Sequence, residues 1–105
     1  MRVVTGEGDL RLEARQVRDH PGENWFLRAA VIRLVLKRLV DGDTDANSVS
    51  DWADALELVD HVDYDPADHD SIADMLFRLA SPEINGALTR DRAEVLLASL
   101  GEIRC

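Results

Sequence analysis

WFLRAAVIRLVLKRLV, Trp25 to Val40, is the stretch on which the reading of this chain turns. Twelve of its sixteen residues are apolar, none is Gly or Pro, and Arg28, Arg33, Lys37 and Arg38 are its only polar interruptions. Apolar residues on every helical face mean that such a helix needs neighbours on nearly every side. It would be roughly 24 Å long, enough to cross a small domain but too short and too charged to span a bilayer. The expectation is a central core helix over about 24–40, with Asn24 as its cap.

Outward from this helix, the C-terminal side is punctuated by helix ends and caps. Gly42 suits the left-handed conformation that stops a helix, and Asp45 is placed to cap the next one. In that second helix Val49, Trp52, Ala53, Leu56 and Val59 recur at spacings of three and four, an apolar stripe with Trp52 at its middle. A large aromatic residue there reads first as core and second as an anchor for a partner. Tyr64-Asp65-Pro66 ends any helix, because the residue before Pro avoids the helical region. Asp70 or Ser71 then caps a third helix buried through Ile72, Met75, Leu76 and Leu79. After the breaker-rich SPEING, Thr89 caps a fourth, with Ala93, Leu96, Leu97 and Leu100 inward and Gly101 as its stop.

The N-terminal side is ambiguous. Leu10, Leu12 and Ala14 alternate with Arg11, Glu13 and Arg15, a strand-like period, while Leu10, Ala14 and Val17 also fit a helix. Val3-Val4 before Gly6 and Gly8 resembles a strand and turn, which favours an irregular or hairpin-like arm over 1–22, with the helical domain at 23–105.

Gly42-Asp43-Thr44-Asp45 and Gly86-Ala87-Leu88-Thr89 share one pattern: Gly, spacer, extended residue, cap. The pairing predicts an all-α fold, a four-helix orthogonal bundle of two helix-loop-helix units, with helices near 24–40, 46–60, 70–80 and 90–100 and Thr44 opposite Leu88. That arrangement resembles an EF-hand pair, but without calcium sites. A loop starting at Asp41 supplies Asp43 and Asp45 and then places Ala46 where Gly is required and Trp52 where a bidentate Glu is required. In the second loop Ser81 and Arg92 fall on the first and last ligand positions.

Charge supplies the remaining signal. The 105 residues carry a net charge of −9, and between Asp41 and Phe77 there are twelve acidic residues and no Lys or Arg. Phosphate binding needs cations, so nucleic acid and anionic membranes are unsuited partners for that half. One Lys against eleven Arg also fits genome composition or high-salt adaptation, so acidity alone assigns no function. On the second helix Asp51, Asp54, Glu57 and Asp60 lie off the apolar stripe, and Asp63 and Asp65 continue the same sign into the following loop. These six are the candidate partner-binding residues, for a basic protein surface.

Other chemistry is sparse. His61 and His69 flank an Asp-rich loop, but their spacing matches no metal pattern. No phosphate loop, nucleophile elbow or His-Glu helix motif is present, so no catalytic residue and no cofactor is expected. With a single cysteine, Cys105, no internal disulfide forms, and with no targeting pattern the expected location is the cytoplasm.

The run LVDG followed by a cap and VSDWA, in 39–53, and LASPEING before a capped final helix, in 79–100, resemble small uncharacterised bacterial helical proteins. Here the cap is Asp45 rather than Ser or Thr, and Thr44 stands where a larger β-branched residue is usual. Small size, helicity and acidity are also similar to the immunity proteins that neutralise bacterial toxins. That resemblance implies a non-enzymatic module with a basic protein partner, and it carries over no individual residue. The alternatives are a structural or homo-oligomeric small protein and a weak divalent-metal binder.

Overall fold

A computed structural model of the chain describes residues 2–20, 22–59, 61–80 and 89–103. The elements run β1 (Arg2–Val3), α1 (Leu10–Asp19), β2 (Trp25–Leu27), α2 (Ala29–Val40), α3 (Ala46–Leu58), β3 (Val62–Tyr64), a 3-10 turn (Pro66–Asp68), α4 (His69–Ala80) and α5 (Arg90–Ile103). The protein is mostly helical, as its periodicity predicts. The all-α expectation is corrected by a small parallel sheet, ordered β1-β2-β3, with Arg2 beside Trp25 and Trp25 beside Val62.

The correction has one origin. Trp25-Phe26-Leu27 belongs not to the central helix but to the middle strand, and the helix begins only at Ala29. Trp25 and Leu27 are buried while Phe26 between them is half-buried, a two-residue alternation that an all-apolar run conceals. Asn24 therefore caps nothing; the residue before α2 is Arg28, extended and without a side-chain cap bond.

The expected irregular or hairpin-like arm is likewise replaced by β1 and α1. Asp9 caps α1, accepting from the Arg11 and Leu12 amides at 3.0 and 3.3 Å, and Leu10, Ala14 and Val17 are its buried face. Val4, Leu10 and Val17 belong to the same core cluster as Ile32, Leu36 and Trp52, so this segment is part of the main core.

Further along, several caps fall where the sequence places them. Gly42 has φ +80° after α2, the Asp45 carboxylate accepts from the Ser48 amide at 2.7 Å, and Thr89 Oγ1 accepts from the Arg92 amide at 3.2 Å. Two boundaries differ. Asp65, not Asp70 or Ser71, starts the approach to α4 by capping the Pro66–Asp68 turn, and α5 runs through Gly101 to Ile103. Leu88 lies outside the described residues, and with it the expected bridge to Thr44 and the second loop of the orthogonal helix-loop-helix pair.

Packing centres on two partnerships: α3 lies between α1 and α4, and α2 is covered by α5. Trp52 is fully buried, as its place in the apolar stripe predicts. Its indole N–H donates to Glu13 Oε1 at 2.9 Å. The same carboxylate accepts from the Gly6 amide at 3.0 Å, from the Thr5 amide at 3.0 Å and from the Thr5 hydroxyl at 2.9 Å. Glu13 is only 8% exposed, and these four donors offset the cost of taking an anion out of water. Arg38 of α2 completes the hold on the loop, donating to the carbonyls of Gly6 and Gly8 at 2.6 and 2.8 Å and to Asp43 at 2.7 Å. Gly6 is required here twice over. Its φ is +67°, and an added Cβ would stand 2.8 Å from a Val35 methyl.

Trp52→Ala should lower unfolding free energy by roughly 3–5 kcal/mol, since it removes the largest buried side chain and leaves a cavity. Glu13→Gln keeps the shape but turns an amide NH2 towards donors, at a cost of about 1–3 kcal/mol. Chemical denaturation of both variants checks this; a loss below about 1 kcal/mol for Trp52→Ala would reject its core role.

Candidate interaction site

Five of the six candidate acidic residues are among the described residues, and they divide between α3 and β3. Asp51, Asp54 and Glu57 are exposed on α3, Asp63 is exposed on β3, Asp65 is half-buried after it, and Asp60 is outside the described residues. The α3 acids meet α1, which the sequence left undecided and which packs along α3.

Arg11, Arg15 and Arg18 recur at four and three residues on α1 and so line up on one side of it. They face Asp51 and Asp54 across a cleft of about 280 Å3 floored by Ala14. Arg11 Nε lies 3.2 Å from Asp51 Oδ2. Like charges one helical turn apart repel, and for Asp51 and Asp54 that repulsion is relieved within the chain by arginines some 40 positions away in sequence. Asp51 and Asp54 face cations of their own molecule before any partner arrives.

The other acids gather at β3. Register sets Asp63, Phe26 and Val3 in one row on the sheet face that no helix covers among the described residues: Val3 is 49% exposed and Phe26 half-buried, whereas Val4, Trp25 and Leu27 are buried on the opposite face. Parallel sheets are ordinarily covered on both faces, and among the described residues nothing covers this one. Around the β3 edge runs a groove of about 540 Å3 lined by Phe26, Val62, Asp63, Tyr64, Pro66 and His69. The Tyr64 and His69 rings meet at 5.3 Å and 50°, and Arg28 stands over the Phe26 ring at 5.4 Å. Burial pushes the Tyr64 phenol above its ordinary pKa of 10.0, and the nearby Glu57 carboxylate adds to the shift.

Asp65 has a local structural task, accepting from the Ala67 amide at 3.1 Å. Asp43 and Asp45 are similarly engaged: Asp43 pairs with Arg38, and Asp45, whose pKa the Ser48 backbone hydrogen bond lowers, caps α3. The two histidines of the acidic loop serve separate contacts, His61 Nε2 meeting the Val17 carbonyl at 2.6 Å and His69 packing on Tyr64. Among the described residues no three His, Cys, Asp or Glu side chains converge as a metal site would require. The groove itself was not anticipated; its one signal in the sequence is the close run Val62, Tyr64, Pro66, His69 among the aspartates.

Comparison with protein-family models, with curated proteins and with solved structures finds no match for this chain. The functional reading therefore rests on geometry and charge.

Two outcomes test this electrostatic layout. The Arg11–Asp51 pair is more than half exposed on both sides, so Arg11→Gln should change stability by less than about 1 kcal/mol. For Tyr64 the folded pKa lies above the unfolded one, so its contribution is complete below about pH 10 and is lost as pH rises through the folded value. Wild type should lose stability with rising alkalinity by an increment that Tyr64→Phe lacks, as read by denaturation at stepped pH.

Proposed function

We propose that this chain is a non-enzymatic, acidic protein-interaction module, immunity-like and cytoplasmic, whose partner presents a basic surface. The observation that carries the reading is the block from Asp41 to Phe77, twelve acids without one Lys or Arg. Within that block, Glu57, Asp63 and Asp70 stay exposed on the side of the β3 groove, away from the α1 arginines. A field of one sign steers an oppositely charged partner and raises its association rate more than its final affinity. The similarity to toxin-neutralising immunity proteins, in size, helicity and acidity, supports the same reading.

The open sheet face of Val3 and Phe26 favours a second reading, a homo-oligomer that covers it. Sizing at several concentrations and salt levels separates the two, because an apolar dimer persists when charge is screened. The weak metal binder has no assembled donor set among the described residues.

The test of the first reading uses the partner recovered with the full chain. Association should slow steeply between about 50 and 150 mM salt, the range over which screening takes hold. Neutralising Glu57 and Asp63 together should slow it more than neutralising Asp51 and Asp54, which already face Arg11, Arg15 and Arg18. Rates indifferent to salt and to both double variants would reject the acidic-interface reading.

A further inference from the structure

β3 is an edge strand. Its inner side is committed to β2: the Trp25 amide donates to the His61 carbonyl and the Asp65 amide to the Leu27 carbonyl, both at 2.9 Å. Strand alternation then turns the backbone groups of Val62 and Tyr64 the other way, where among the described residues no further strand pairs with them. Beside that edge lies the groove walled by Phe26, Val62, Tyr64, Pro66 and His69. Unpaired strand groups next to apolar and aromatic walls are the features used when an extended segment is added to a sheet.

We infer that the free edge of β3 docks an extended basic segment of the partner protein as a fourth strand. The register dictates a pattern for that segment. A residue set beside Asp63 lies on the open face with Phe26, and its neighbours lie beside Val62 and Tyr64 on the other face. The first suits Lys or Arg, against the Asp63 carboxylate; the others suit apolar side chains, packed towards Tyr64 and His69. The face already receives a guanidinium in this way, since Arg28 rests on the Phe26 ring. Charge also excludes a second copy at this edge. Every ionisable residue from Asp41 to Phe77 apart from His61, Tyr64 and His69 is acidic, so a β3–β3 pairing centred on Asp63 sets like charges opposite one another, and a shifted one brings acids together with no Lys or Arg to offset them.

This inference rests on the basic-partner reading and narrows it to one edge and one backbone conformation. The probes are an alternating valine–lysine heptapeptide and the same peptide N-methylated at alternate residues, which keeps charge and side chains but removes strand donors. Binding to the full chain is followed by amide chemical shifts. The unmodified peptide should shift Val62, Asp63 and Tyr64, and N-methylation or Asp63→Asn should each weaken it about tenfold, the scale of a lost hydrogen bond or charge contact. Equal binding of both peptides, with shifts centred on Asp51 and Asp54, would overturn strand docking while leaving an acidic interface standing. Binding of neither peptide, or a dimer abolished by Val62→Lys, would overturn strand docking too; the partner-association rates above then decide the broader reading separately.

Discussion

The Glu13 carboxylate is the interaction on which the remainder of the structure depends. A buried anion persists only where several donors converge on it, and here they come from the loop after β1 and from α3. Oε2 takes both donors of Thr5, and Oε1 takes the Gly6 amide and the Trp52 indole. Since Glu13 itself sits on α1, one side chain ties three segments together. Arg38 acts on the same loop from α2, drawing in its carbonyls as Glu13 draws in its amides. Held from both sides, a two-residue strand that would not persist alone keeps its place beside β2.

The sheet follows from that placement. β2 needs partners on both edges because its buried residues leave no water for its backbone groups, and β1 and β3 supply them. Both crossovers connect neighbouring parallel strands in sequence order, so right-handed connections place α1 and the α2–α3 pair on the same face. One face of the sheet is thereby packed and the other left to Val3, Phe26 and Asp63.

Legibility in the sequence followed the range of each interaction. Caps and stops were readable because a few neighbouring residues determine them: Gly42, Asp45 and Thr89 act within four positions of themselves. The stripe through Trp52 was readable because burial repeats at helical spacing along α3. The sheet was not, since Trp25, Phe26 and Leu27 are strand only by virtue of Arg2, Val3 and His61–Asp65 beside them. Glu13 was hidden for a related reason. It follows the Leu10, Ala14, Val17 stripe at i+3 from Leu10, where a charged residue ordinarily marks the solvent boundary, and it is turned inward by donors outside its own helix, from Thr5, Gly6 and the distant Trp52 indole.

The same distinction governs the charges. A block of twelve acids free of Lys and Arg looks in sequence like one continuous acidic surface, yet folding lays Arg11, Arg15 and Arg18 along Asp51 and Asp54. At an exposed site each such pair contributes little stability, but it still cancels much of the field that a distant partner would sense. Glu57 and Asp63 lie apart from that cleft, Asp63 lining the aromatic groove at β3 and Glu57 acting on its Tyr64. Segregation along the chain thus becomes a narrower segregation in space, with the α1 arginines set against Asp51 and Asp54 and with Asp63 exposed in the aromatic groove of β3.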